Sequence, residues 1–345
     1  MKSLNALLSF IFLIVGSLQA NDSTKVHSIF DDFYQPDQVV EVTLQFDCKQ
    51  LIRQKEKQEK FPATITYQRP NGESVTRAIQ VKTRGKLRLN VCTFPPLKLD
   101  FDKDELKNEN FLAEFDDLKL VTHCQNVKFN DRQVLKELLA YRLYNIISDY
   151  SLRAQLLRIK YLDAQGALFA DEYALLLESE EALAYRMNCR KSEKIIENIS
   201  ELQSDIYNKM VLFQYMIGNV DWHIRAQHNV TFFKSLGAGF RVIVPYDFDY
   251  SGVVSASYAV PDERVGQKFL GERVMVSNFT DEAAMQSAVQ YFIEKEENII
   301  QTCNNFSTLS PEERQTVIKY LAPFFEFIKT PNLKSGKFVN HGGIK

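Results

Sequence analysis

Hydrophobic and polar residues alternate along much of the first third of the chain. The segments QVVEVTLQF and PPLKLDF have the period of two that is typical of a half-buried β-strand. Between them, FPATITYQ and ESVTRAIQV alternate in the same way on either side of Pro70-Asn71-Gly72. Asn-Gly between two such runs is a strong signal for a tight hairpin turn. The pattern therefore predicts a β-rich region, and its last strand carries Lys98.

Helical spacing replaces this alternation further along the chain. The segment NDRQVLKELLAYRLYNIIS repeats apolar residues every three to four positions, and Asn130 is its predicted N-cap. Two alternating runs, QLLRIKYLD and FADEYALLLES, predict two more strands. After residue 180 the pattern predicts one helix in ELQSDIYNKMVLFQYMI and two near residues 281–300 and 311–329. The last of these opens with a predicted capping box at Ser310-Pro311-Glu312-Glu313. NVTFF and FRVIVPYDF predict a short strand pair among these helices.

This order of elements predicts an α+β protein with two lobes and a cleft between them. Residues 21–180 are predicted to form a β-rich N-terminal lobe, and residues 181–345 a mainly helical C-terminal lobe. The 345 residues are 45% hydrophobic and include 25 phenylalanines, which is enough for a substantial core. With 42 basic and 44 acidic residues the formal net charge is -2, so the composition argues against nucleic acid as a partner.

The N-terminus has the organisation of a secretory signal peptide. Lys2 precedes an apolar run, and small residues end at Ala20 before polar Asn21. We predict that residues 1–20 are removed and that the protein is exported, either periplasmic or secreted, with no integral membrane span after cleavage. An uncleaved anchor is the alternative. An oxidising compartment permits disulfides among the five cysteines, but their number is odd, so at least one thiol is left over, and the pairing stays open. No Cys or His pair has the spacing of zinc-finger ligands, which argues against a zinc site.

Polar residues that suit metal-assisted chemistry concentrate in GNVDWHIRAQHNVTFF. Asp221 and Asn229 lie in this segment, and Asp247 and Asp249 follow an apolar strand in VIVPYDFDYSG. Carboxylate and amide oxygens suit Mg²⁺, which proteins usually hold by one or two carboxylates together with phosphate oxygens. Asp221 is a candidate general base for a hydroxyl nucleophile. The alternative for the D-x-D pair is that it only caps a turn.

These segments resemble the CotH family of secreted, atypical protein-kinase-like proteins. The resemblance is carried by GNVDWHIRAQHNVTFF and FRVIVPYDFDYSG, by VKTRGKLRLNVCTFPPLKLDF with its R-G pair, and by FADEYALLLES. It covers roughly residues 75–255. The chain departs from protein kinases because H-R-D and a G-x-G-x-x-G loop are missing, and because Asp247-Phe248-Asp249 stands where DFG is expected.

The resemblance implies a two-lobed protein-kinase-like fold with ATP and Mg²⁺ or Mn²⁺ as ligands. Lys98 would pair with the α- and β-phosphates, and Glu137 would hold that lysine. Asp221 would be the base, Asn229 and Asp247 the metal ligands, and Asp249 their support. The residues that would approach the nucleotide are Arg84, Lys86 and Arg88 at the phosphates, and Glu178 at the strand that leads to the adenine site.

Three functions are compatible with these residues. The first is an exported kinase-like protein that depends on ATP and Mg²⁺ and transfers phosphate to a protein or cell-envelope acceptor. The second is a pseudokinase that acts as a binding or structural protein. The third is a metal-dependent hydrolase that uses Asp221, Asp247 and Asp249, although a simple hydrolase has no need of Lys98.

Overall fold

The computed structural model of the protein describes residues 27–125 and 131–338. The predicted signal peptide and the predicted cap Asn130 lie outside these residues. The strands are β1 (Val40–Gln45), β2 (Phe61–Gln68), β3 (Ser74–Thr83), β4 (Leu97–Phe101), β5 (Asp117–Val121), β6 (Ala154–Leu162), β7 (Leu168–Leu177), β8 (Cys189–Lys191), β9 (Val230–Ser235) and β10 (Arg241–Pro245). The α-helices are α1 (Cys48–Arg53), α2 (Leu87–Val91), α3 (Lys103–Asn108), α4 (Asp131–Ile147), α5 (Glu180–Arg186), α6 (Ser204–Ile217), α7 (Glu282–Asn305) and α8 (Pro311–Ile328).

Seven strands close into a barrel in the order β1-β2-β3-β4-β5-β7-β6. Neighbouring strands are antiparallel except β1 and β6, which pair in parallel and close the barrel. Side chains alternate between the two faces, as the period of two predicts. In β4, for example, Leu97, Leu99 and Phe101 are buried in the apolar interior, and Lys98 lies on the outer face.

The expectation of a two-lobed protein-kinase-like fold, with a mainly helical C-terminal lobe, is wrong. The strands form a closed barrel instead of the open sheet of a small lobe, and the C-terminal half contains a second sheet in the order β10-β9-β8. Alternation of apolar residues is the same in an open and in a closed sheet, because only the pairing of the first and last strands differs. The sequence pattern therefore identified the strands without revealing their closure.

A second apolar core lies outside the barrel. It packs α4 against α6, α7 and α8, and it includes buried residues of β9 and β10. The predicted long helices are confirmed, and Ser310 and Glu313 form the predicted capping box at the start of α8. Within the described part of the chain, no helix combines the length and apolar character needed to cross a membrane.

Two glycines let the loop after α6 approach the loop after β10. Gly218 ends α6 in the left-handed conformation with φ 64°, which glycine adopts without a side-chain clash. The amide of Gly252 donates a hydrogen bond of 3.3 Å to the carbonyl of Gly218. The side chain of Tyr320 covers both glycines, and its hydroxyl donates to the carbonyl of Gly271 at 2.7 Å.

Replacement of Gly252 by alanine is expected to lower the free energy of unfolding by about 1–3 kcal/mol, the usual cost of overpacking. The new Cβ atom would lie 2.3 Å from the Tyr320 hydroxyl and 2.6 Å from the Cα atom of Gly271. Urea denaturation measures the change. Gly237→Ala is the matched control, because nothing lies within 4 Å of a Cβ atom at that position. Equal stability of the two variants would contradict this close packing.

Candidate functional site

The β9–β10 hairpin brings together two predicted metal ligands. Val230 pairs with Pro245, so the start of β9 and the end of β10 lie at the same end of the hairpin. Asn229 precedes β9 and Asp247 follows β10, with left-handed φ angles of 51° and 61°. Asparagine and aspartate tolerate this conformation better than most residues. The amide of Asp247 donates to the hydroxyl of Tyr141 at 3.0 Å, which anchors the turn to α4.

The loop after α6 places Asp221 beside this hairpin. Its amide donates to the side-chain oxygen of Asn219 at 3.1 Å. The side-chain amide of Asn229 donates to the carbonyl oxygen of Asp221 at 2.8 Å and to its Oδ2 at 2.9 Å. Nε2 of His228 lies 2.9 Å from Oδ1 of Asp221. The structure therefore unites Asp221, Asn229 and Asp247, which the sequence singled out, and it brings His228 of the same segment into contact with Asp221.

Three carboxyl groups meet behind these residues. Glu137 of α4 is buried, and its Oε1 has no hydrogen-bond partner. Burial, and then the negative charges of Asp247 and Asp249, raise its pKa well above the ordinary value. Burial and the neighbouring Asp247 raise the pKa of Asp249 to about 8, and Tyr258 donates a hydrogen bond of 2.6 Å to its Oδ2. A cation bound beside Asp247 would offset this repulsion and favour the ionised form of the neighbouring carboxyl groups.

Basic side chains face this acidic group across the cleft. Arg84 and Lys86 lie in the turn between β3 and α2, and Arg88 lies in α2. Arg88 donates to the carbonyl of Thr122 at 2.6 Å, and its guanidinium lies 5.8 Å from the ring centroid of Tyr258. The disulfide between Cys92 and Cys124 fastens the end of α2 to the segment that follows β5. The predicted phosphate-contacting segment is thus held at the cleft.

The strand lysine that lines the cleft is Lys119 of β5, which the sequence analysis missed. Lys98 and Lys119 are direct neighbours on β4 and β5 and lie on the outer face of the barrel. Lys119 lines the cleft, whereas the ammonium group of Lys98 pairs with Asp117 at 2.5 Å. A signal for Lys119 was present, because LKL occurs both in PPLKLDF and in DDLKLV. The sequence alone did not show which of the two lysines faces the cleft.

Lys119 is held by a buried carboxylate. Its ammonium group lies 2.8 Å from Oε1 of Glu180, and Lys191 lies 2.6 Å from Oε2. Burial opposes ionisation of Glu180, but these two ion pairs outweigh it and lower its pKa to about 2. A lowered carboxyl pKa means that the stabilisation is present above the ordinary value of 4.5 and is lost as the pH falls towards 2.

Two other predicted residues have different surroundings from those expected. Glu178 is buried, and Arg153 and Arg186 hold its carboxylate at 2.9 Å, outside the lining of the cleft. Glu137 does line the cleft, but the lysine predicted as its partner, Lys98, is paired with Asp117. The Lys98–Glu137 ion pair implied by the resemblance is therefore absent, although both side chains are described.

The cleft between the barrel and the second core has a volume of about 410 Å³. A larger cavity of about 1070 Å³ lies along β2, β3 and β4, but none of the predicted site residues lines it. We consider the smaller cleft the functional site because it gathers basic and acidic groups with perturbed pKa values. Its charged and amide lining residues are Arg84, Lys86, Arg88, Lys119, Glu137, Asp221, Asn229, Asp247 and Asp249.

The cleft fits a magnesium ion that takes part of its coordination from a ligand. In residues 27–125 and 131–338, no three His, Cys, Asp or Glu side chains form a metal site by themselves. Mg²⁺ is usually bound by one or two carboxylates, with waters and substrate phosphates completing its shell. Asp247 and the side-chain oxygen of Asn229 supply two oxygen atoms at one end of the hairpin. A cation at this position would also offset the repulsion among the carboxyl groups of Asp247, Glu137 and Asp249.

Comparison with known proteins does not identify a family for this chain. No protein-family model matches the chain. No curated protein matches it either. The resemblance to CotH proteins therefore rests on the quoted motifs alone.

Proposed function

We propose that the cleft binds ATP with Mg²⁺ and transfers the terminal phosphoryl group to a hydroxyl of a protein or cell-envelope acceptor. One observation carries this proposal. Four cationic side chains, Arg84, Lys86, Arg88 and Lys119, face the oxygen ligands Asn229 and Asp247 within one cleft of about 410 Å³. A polyphosphate chain with a divalent cation has the charge distribution that this arrangement complements.

Each side of the cleft has a separate task in this proposal. The basic side chains bind the phosphate oxygens and neutralise their charge, which is the main requirement of phosphoryl transfer. A magnesium ion held by Asp247 and Asn229 would supply additional neutralisation at the transferred group. The residues around Asp221 receive the acceptor hydroxyl and its proton.

The predicted signal peptide supports a location outside the cytoplasm, as a periplasmic or secreted protein. The Cys92–Cys124 disulfide suits an oxidising compartment. Both features support export, and neither identifies the acceptor.

Nucleotide binding is tested by thermal and chemical unfolding of the mature chain with ATP, ADP or AMP, each with and without Mg²⁺. ATP at 100 times its dissociation constant should stabilise the native state by about 2.7 kcal/mol. Stabilisation should decrease from ATP to AMP, because the cationic groups recognise phosphates, and EDTA should reduce it. Equal and negligible shifts with all three nucleotides would contradict the proposal.

Lys119→Met is expected to weaken ATP binding by about 10- to 100-fold, because a hydrogen bond to a charged group contributes about 1.5–3 kcal/mol. Isothermal titration calorimetry measures the change. Lys98→Met is the matched control, since this lysine lies on the neighbouring strand and pairs with Asp117 outside the cleft lining. A larger loss in Lys98→Met than in Lys119→Met would show that the phosphates bind elsewhere.

A second candidate function is nucleotide binding without transfer. It is favoured by the absence of the Lys98–Glu137 pair, since Lys98 bonds Asp117 and Oε1 of Glu137 has no hydrogen-bond partner. ADP release and autophosphorylation, measured with radiolabelled ATP, distinguish the two functions. Binding without either product would favour the second.

A further inference from the structure

The carboxylate of Asp221 already accepts a hydrogen bond at each oxygen. Oδ1 lies 2.9 Å from Nε2 of His228, and Oδ2 lies 2.9 Å from the side-chain nitrogen of Asn229. Asp221 is also the less accessible partner, because its side chain is 27% exposed and that of His228 is 54% exposed. A hydroxyl that enters the cleft therefore meets the imidazole more readily than the carboxylate.

The imidazole of His228 is held in one orientation. Its backbone forms two hydrogen bonds with His223, of 2.9 and 3.0 Å, which close the turn between them. Asp221 fixes the ring through Nε2. A carboxylate that accepts from Nε2–H selects the tautomer in which Nδ1 carries the free electron pair. Nδ1 is then the basic nitrogen of the His228 imidazole.

The backbone around His228 has an uncommon conformation on both sides. Gln227 and Asn229 have left-handed φ angles of 49° and 51°. This conformation is strained for residues other than glycine, least for asparagine, and persists where surrounding contacts impose it. The amide of Tyr246 donates to the carbonyl of Asn229 at 3.0 Å, and the amide of Gln227 donates to the carbonyl of Ile224 at 3.1 Å. The bonds among His223, His228, Asp221 and Asn229 complete this network.

We infer that His228 is the general base of the proposed phosphotransferase and that Asp221 is a positioning residue for its imidazole. This inference rests on the proposed function. Nδ1 of His228 accepts the proton of the acceptor hydroxyl, and the hydroxyl oxygen forms a bond to the terminal phosphorus. The bond from that phosphorus to the nucleoside diphosphate breaks, and the diphosphate leaves with the electron pair. Asp221 stabilises the imidazolium until its proton passes to water.

The test measures ADP release and autophosphorylation by the mature chain with radiolabelled ATP and Mg²⁺, with ATP affinity measured separately by calorimetry. His228→Ala should lower kcat by about 10²- to 10⁴-fold, the usual loss of a general base. ATP affinity should stay within a few-fold, because the base acts in the transition state. Added imidazole should restore part of the rate. His228→Gln retains a donor for Asp221 but no base, so it should be equally slow.

Two further variants test whether the base depends on Asp221 and whether the effect is specific to His228. Asp221→Asn should lower kcat with little change in KM, and imidazole should not restore it, because the native imidazole is still present but misoriented. His27→Ala is the control. His27 is another exposed histidine, 56% accessible, with a carboxylate partner, Asp31, and it does not line the cleft. This variant should retain the full rate and show no response to imidazole.

The outcomes distinguish this inference from the proposed function. Full transfer by His228→Ala, or a slow His228→Ala that imidazole does not restore, would overturn the role of His228 and leave the phosphotransferase proposal intact. A wild-type protein that binds ATP but transfers nothing would overturn both the transfer reaction and the base. A wild-type protein that does not bind ATP would overturn the proposed function as a whole.

Discussion

Asp247→Asn is expected to abolish the Mg²⁺-dependent part of ATP binding while the protein remains folded. Asp247 is the proposed anionic ligand at the end of β10, and an amide cannot supply its charge. The fold should persist because the substitution removes one of three mutually repelling carboxyl groups, Glu137, Asp247 and Asp249, from a confined site. Calorimetric titration with ATP, in the presence and absence of Mg²⁺, measures the effect.

Asp117→Asn is the matched control for this substitution. Asp117 is the first residue of β5, and it pairs with Lys98 on the outer face of the barrel. Its variant should bind ATP and Mg²⁺ as the wild-type protein does. If Asp247→Asn keeps the full response to Mg²⁺, the metal site proposed at the β9–β10 hairpin is wrong.

Loss of the Cys92–Cys124 disulfide is expected to lower the free energy of unfolding by about 3–4 kcal/mol. The bond joins residues separated by 32 positions, and the estimate follows from the loop entropy that it removes from the unfolded chain. ATP affinity should fall as well, because the bond fastens the helix that carries Arg88 to the segment after β5. Guanidinium denaturation and calorimetry of Cys92→Ser measure the two effects.

The single and double variants provide an internal control. Each of Cys92→Ser, Cys124→Ser and the double variant lacks the same covalent bond, so the three should be destabilised to a similar extent. Losses that add up in the double variant would mean that each cysteine contributes through its own packing, and that the cross-link itself stabilises little.

Local features of the fold were predictable from the sequence because short-range chemistry determines them. The hairpin at Asn71-Gly72, the capping box at Ser310 and the β9–β10 pair all appear where the pattern predicts them. The β9–β10 hairpin also explains why Asn229 and Asp247 meet, because antiparallel pairing places the start of β9 beside the end of β10.

The closure of the barrel was not predictable in the same way, and neither was the identity of the strand lysine that lines the cleft. Closure depends on parallel pairing of β1 with β6, more than 100 residues further along the chain, and alternation carries no information about partners. Lys98 and Lys119 occupy equivalent outward positions on adjacent strands. Lys119 lines the cleft and pairs with Glu180 of α5, which lies 61 positions further along the chain and which the alternation does not reveal.

Closure of the barrel also affects how the protein resists aggregation. Each of the seven barrel strands has a neighbour on both sides, so the barrel offers no unpaired strand edge to another chain. Among the described sheets, free edges are confined to β8 and β10, which have three and five residues. These strands carry Arg190, Lys191 and Arg241, and charged side chains on short edge strands discourage pairing between molecules. A second copy of the chain therefore finds few places in these sheets at which it could add a strand.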